Sequence, residues 1–225
     1  MGLALILFLW PGLWAMGKTL SGIFAEVWTG ERWALWPYAA GIVGYILIER
    51  LAFVPLRLYV FGHEMTHALS CVLSGGRVFD FHASTKGGHV RLSKTNSWIA
   101  LSPYCVPLYT LFILLVFRVL GVWWNLGFYV PVLQALVGAS LAFHFSLTVF
   151  ALKCHQPDLK VLGWLPSMSV ILFANGVCLT VLLALLFPGM LGAVGLARAF
   201  GVHWKEAVLG AARGSVSLWR SARGA

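Results

Sequence analysis

Apolar residues fall along this chain in long blocks rather than in the short alternations of a soluble domain. The blocks at 34–54 (ALWPYAAGIVGYILIERLAFV), 97–119, 122–152 and 165–187 match or exceed the roughly 20 residues a helix needs to cross a bilayer. A fifth stretch, 56–74, is apolar with polar residues set inside it, and 2–16 is a shorter run interrupted by Pro11. No Lys or Arg precedes that first run, so it predicts a short membrane helix or interfacial segment rather than a signal peptide. Residues 17–33 are mixed and predict a loop or interfacial helix, with Trp28 and Trp33 at headgroup level. The pattern predicts an all-α multi-pass membrane protein with about five to six transmembrane helices. Residues 1–190 form one polytopic membrane domain, its core over about 54–187.

The punctuation between blocks refines this. Pro55 and Arg57 separate 34–54 from 56–74, and Gly75-Gly76 stops the second of these helices. Residues 77–92 then change period. Val78-Phe79-Asp80-Phe81-His82 and His89-Val90-Arg91-Leu92 flank Lys86-Gly87-Gly88, which predicts a β-hairpin insert. Pro103 and Pro107 make the start of 97–119 irregular or kinked, and Pro131 and Gly138 are possible breaks in 122–152. Glu49 and Arg50 near the end of 34–54 are expected to snorkel or pair locally at the interface. In the tail, residues 191–225, the basic positions Arg198, Lys205, Arg213, Arg220 and Arg223 share one side of a helix, opposite Phe200, Trp204 and Leu218. That predicts a basic helix on the membrane surface or a loose basic tail.

Composition agrees with the blocks: of 225 residues, 60% are hydrophobic and only 10% charged. The net charge of +9 reads as basic loops and tails facing anionic lipid, and no aromatic-basic motif points to nucleic acid. Cys71, Cys105, Cys154 and Cys178 lie in or beside apolar runs with no C-x-x-C pair, as small buried residues do. Cys71 follows His67 at i+4, but it stands about 12 Å along a helix from His63, too far for both to hold one ion.

The candidate chemistry sits at His63-Glu64-Met65-Thr66-His67, which reads H-E-x-x-H. On a helix, His63 and His67 share a face and can hold one metal ion, with Glu64 beside them. Zinc suits two imidazoles plus a third ligand, leaving a position for a water that Glu64 can deprotonate. The alternative is a polar helix face packed in a bundle, with His and Glu satisfying each other. Ionisable residues in a bilayer-spanning helix are costly without such a role. Candidates for the third ligand are Asp158, His155, His144 and, remotely, His89. Asp158 stands beside Pro157, where a helix ends and a carboxylate can turn inward, and it is the only carboxylate between Asp80 and Glu206. His82 and His89 fit exposed hairpin positions better than ligand positions.

H-E-x-x-H in a membrane helix, a Gly-flanked hairpin, and Pro-containing acidic sequence near a later span together resemble the site-2-protease family of intramembrane zinc metallopeptidases. The resemblance covers about Val54 to Leu186. It implies a three-helix core, His63 and His67 as metal ligands, Glu64 as catalytic acid/base and Asp158 as third ligand. The family Asp stands in an Asn-Pro-Asp-Gly or Leu-Asp-Gly setting; here the residues are Gln156-Pro157-Asp158-Leu159. The resemblance further implies one Zn2+ per chain, a membrane-protein substrate held by the edge of the 77–92 hairpin, and hydrolysis of its peptide bonds within the bilayer. Asn175 or Asn96 would then assist the oxyanion. Two other classes share some of these features. A zinc or proton-coupled transporter also carries His and Glu on membrane helices, usually on several facing spans. A non-catalytic scaffold relative would keep the fold without needing Glu64.

Overall fold

The computed structural model describes residues 10–22, 25, 35–153, 157–186, 198, 200–210 and 213. It contains α1 (residues 10–22), α2 (Trp36–Leu51), α3 (Leu56–Leu73), β1 (Val78–Ser84), β2 (Gly87–Leu92), α4 (Ser97–Cys105), α5 (Leu108–Leu120), α6 (Val130–Lys153), α7 (Trp164–Leu186) and α8 (residues 200–210). The chain divides into two compact units. Arg32–Leu162 holds α2 to α6 and the hairpin; Met1–Glu31 with Gly163–Ala225 holds α1, α7 and α8.

The apolar blocks form helices as their composition predicts, but fewer of them than expected are long and apolar enough to cross a membrane. Among the described residues two helical stretches are long and apolar enough to span a membrane, Gly127–Lys153 and Trp164–Leu182. The number rises to four only if each of two bent pairs counts as one span, which corrects the expectation of five to six. The pairs are α2 with α3, bent by 119°, and α4 with α5, bent by 71°. Proline is the cause in both. Pro55 precedes α3 and Pro107 precedes α5, and each lacks an N–H and pushes the residue before it out of the helical region. The kink expected at the start of 97–119 is thus present as the bend between α4 and α5, while 34–54 and 56–74, expected as separate spans, are the two arms of one bent pair. Pro103, by contrast, sits inside α4, and Pro11 lies within α1. Residues 1–9, Trp28, Trp33, Arg220, Arg223 and Leu218 lie outside the described residues.

In the larger unit α2 lies against α6 at backbone contact. A Cβ on Gly41 would overlap the Ala135 carbonyl, and one on Gly138 would overlap that of Tyr38. Small residues let two apolar helices approach this closely, where dispersion replaces the hydrophobic drive that lipid cannot supply. Polar bonds fix the rotation. Ser146 Oγ donates to Glu49 Oε1 at 2.5 Å, so Glu49 is held by α6. Thr110 and Ser140 share a buried hydroxyl bond of 2.8 Å between α5 and α6. The outward faces remain apolar: Leu47, Leu115, Leu136 and Val149 are all exposed.

The hairpin forms as an antiparallel pair, with His82 opposite His89 and Ala83 opposite Gly88. The turn falls at Thr85-Lys86, so Gly87 and Gly88 belong to β2 rather than to the turn. A bulge between Val78 and Asp80 twists the start of β1. Phe81 stacks edge-on against Phe61 of α3, which seats one face of the hairpin on that helix. Lys94 Nζ donates to the Ser74 carbonyl at the C-terminal end of α3, where a cation also suits the helix dipole.

In the smaller unit Met16 of α1 packs against Gly176 of α7, and Thr180 Oγ1 donates to the Gly176 carbonyl. In α8, Phe200 and Trp204 are half-buried while Lys205 is exposed.

Candidate metal centre

Helix α3 builds the first half of the centre. Its buried side carries Gly62, Thr66, His67, Ala68, Ser70 and Cys71. His63 and Glu64 lie at the margin of that side, half-buried. The four-residue spacing brings the two imidazoles together, with ring centroids 4.9 Å apart and planes nearly perpendicular. Cys71 is fully buried at the far end of the helix and takes no part.

Asp158 completes the group from a short 3-10 turn, Pro157–Lys160. Its Oδ2 lies 3.5 Å from His63 Nε2 and 3.5 Å from His67 Nε2. The three ligand atoms all fall within 4.8 Å of one another. Bonds of about 2.0–2.2 Å at tetrahedral angles place ligand atoms roughly 3.3–3.6 Å apart, so these separations suit a zinc-sized ion. Two imidazoles and a carboxylate are also a donor set that such an ion takes.

The surroundings aim these ligands. His67 Nδ1 donates to the Ile99 carbonyl at 2.8 Å; a carbonyl only accepts, so Nδ1 carries a proton and Nε2 is the nitrogen that faces Asp158, open to a metal ion once its own proton is lost. Tyr104, almost wholly buried in α4, donates its hydroxyl to Asp158 Oδ2 at 3.1 Å. Both partners come from α4, which Asn96 starts by accepting from the Ile99 N–H at 2.8 Å. Burial alone would raise the Asp158 carboxyl, but hydrogen bonds from His63 and His67 outweigh it and hold the group below the usual carboxylate range.

The three ligand residues and Glu64 line one cleft of about 750 Å³, with Gly88 of β2 and Ile99 of α4 on its other walls. That volume lies within the range of ligand sites. Gly88 is the close approach: a Cβ there would stand 2.8 Å from Glu64 Cγ and 2.6 Å from Val60 Cγ1. Strand β2 can thus lie directly against Glu64 only without a side chain at this position.

None of the other described sequence candidates joins this group of three. His144 lines a small inner cavity of about 30 Å³ together with His63, Thr66 and Ser140, and is not one of the three ligands. His89 lines the same cleft, but its Nε2 is paired with Asp80 Oδ2 on the hairpin at 2.9 Å. His155 lies outside the described residues. Asn175 donates to the Ile171 carbonyl within α7, and Asn96 is occupied as the α4 cap. Tyr104, Ile99 and Gly88 had no sequence signal for their places here. An apolar-helix Tyr reads as packing, a carbonyl belongs to any residue, and Gly88 read as part of the turn. No protein-family description, curated protein or solved structure matches this chain.

Proposed function

We propose that this chain is an integral, multi-pass membrane zinc metalloprotease, hydrolysing peptide bonds of membrane-embedded protein substrates. The observation that carries this is Glu64 lining the same cleft as His63, His67 and Asp158, the group that can hold a metal ion. The exposed apolar faces of the helices and the two to four stretches able to cross a membrane support the bilayer setting. When bound, zinc would polarise the scissile carbonyl and acidify water.

The residues of the chain do the rest. His63, His67 and Asp158 fix where the ion would sit. Glu64 accepts a proton from the attacking water, whose oxygen bonds to the carbonyl carbon, and delivers that proton to the amine nitrogen as the C–N bond breaks. Strand β2, laid along the cleft, offers an edge on which an extended substrate can pair by backbone hydrogen bonds. A helical substrate must unwind first, since its peptide groups are otherwise bonded internally.

The test is metal content together with cleavage of a model transmembrane substrate, for wild type and Glu64→Gln. One zinc per chain in both, with cleavage only in wild type, is the expected result. Folded protein that binds no metal, or cleavage that survives Glu64→Gln, would overturn the reading.

A further inference from the structure

The two imidazoles of the metal centre are supported unequally. His67 is fixed through Nδ1 by the Ile99 carbonyl. His63 faces Asp158 through Nε2, and among the described residues none is hydrogen-bonded to its Nδ1. Its ring is packed by those of Tyr59, at 5.6 Å, and Tyr104, at 5.4 Å. Ring contacts limit tilt, but an imidazole turned by half a revolution about χ2 packs almost equally well, with each nitrogen exchanged for a carbon. A hydrogen bond at Nδ1 selects one of the two states. A metal-ligating histidine nearly always makes one, to a carboxylate, a backbone carbonyl or a water.

A second cavity beside His63 offers the last of these. His63 lines the inner cavity of about 30 Å³ as well as the cleft, together with Tyr59 and Thr66 of α3 and Ser140, His144 and Thr148 of α6. About 10–15 Å³ is enough for one water, provided that two to four polar groups meet it. Thr66 and Ser140 already donate to the Gly62 and Val137 carbonyls, so what their hydroxyls can offer a water is an acceptor oxygen. His144 lies within Gly127–Lys153, one of the two described stretches able to cross a membrane alone, where an imidazole is costly unless it serves a site.

We infer that His144 positions the metal ligand His63 through a water held in this cavity. The inference rests on the metal centre proposed above. The water accepts a hydrogen bond from His63 Nδ1 and donates one to the acceptor nitrogen of a neutral His144 and one to a hydroxyl oxygen of Thr66 or Ser140. The proton of His63 is thereby kept on Nδ1, and Nε2, the nitrogen beside Asp158, is left open to the ion. His144 does for His63, through one water, what the Ile99 carbonyl does directly for His67. It is a positioning residue and touches neither the ion nor the substrate.

The experiment measures Zn2+ affinity by chelator competition on the full chain in detergent micelles, with the visible absorption of the Co2+-loaded chain as a report on ligand geometry. His144→Leu removes the acceptor and is expected to bind zinc roughly 10 to 100 times more weakly and to shift the Co2+ bands. His144→Gln keeps an acceptor oxygen and is expected to restore both. Thr148→Leu leaves His144 in place but fills the cavity with an apolar side chain, and is expected to behave as His144→Leu does. Unfolding midpoints in excess chelator are compared, so that lost packing is not counted as lost ligation. His144→Leu that binds both ions as wild type does, or His144→Gln as impaired as His144→Leu, overturns the proposal. So does Thr148→Leu with wild-type affinity, since no water is then required. Wild type that binds no metal overturns the centre itself, which separates failure of that reading from failure of this one.

Discussion

Tyr104→Phe isolates the support given to Asp158, the proposed third ligand. The variant deletes one oxygen from a side chain that is 1% exposed, leaving the ring and its edge-on contact with His63, at 5.4 Å, in place. What is lost is the 3.1 Å bond from the phenol to Asp158 Oδ2. A hydrogen bond to a charged acceptor contributes about 1.5–3 kcal/mol. Each 1.4 kcal/mol is about tenfold in affinity, so zinc should bind roughly 10 to 100 times more weakly, the range seen when a partner of a metal ligand is removed. The assay is competition with a chromophoric chelator at fixed pH, on the full chain in micelles. Thermal unfolding in excess chelator serves as the control for folding. A dissociation constant within twofold of wild type, in protein that unfolds normally, would refute the assignment of Tyr104 as the residue that orients Asp158.

Further outcomes follow from the same geometry. Metal ligation needs neutral imidazoles, which in isolation ionise near about pH 6.5, whereas the Asp158 carboxyl is held below the usual range. Zinc release on acidification should therefore take up about two protons per ion, one on each imidazole, with Asp158 still ionised; uptake of a third proton at the release midpoint, read by pH-stat, would contradict this. By linkage the depressed Asp158 pKa favours the folded state above about pH 4, and that contribution is lost as pH falls through the folded value. Gly138→Leu drives a side chain into the Tyr38 carbonyl, which cannot rotate away; overpacking costs about 1–3 kcal/mol, and a backbone neighbour puts this variant at or above the top, read as a fall in unfolding midpoint. Asn96→Ala removes the α4 cap and should cost about 1 kcal/mol of stability, with a measurable loss of zinc affinity because Ile99 and Tyr104 ride on that helix. Gly88→Val should leave zinc content unchanged and abolish cleavage, because its side chain takes the space of Glu64; full activity in that variant would show that β2 does not lie against Glu64 as described.

What the sequence determined by itself is what short-range periodicity encodes. The blocks of apolar residues give the helices, and the change of period at 77–92 gives the hairpin, because each pattern repeats within a few residues of itself. The meeting of His63 and His67 was legible for the same reason: four residues of helix suffice to bring them onto one face. Three matters waited for the tertiary structure. The number of candidate spans fell because 34–54 and 56–74, read as separate spans, form at most one as α2 and α3 bent by 119°, and the size of a bend depends on what packs around a proline, not on its presence. The choice of Asp158 over His144 depended on segments distant in sequence coming together at a turn, and no local pattern records that distance. The same holds for Tyr104, the Ile99 carbonyl and Gly88. Their roles are relations between elements, set by how α4 and β2 pack around α3, and a relation of that kind exists only once the chain has folded.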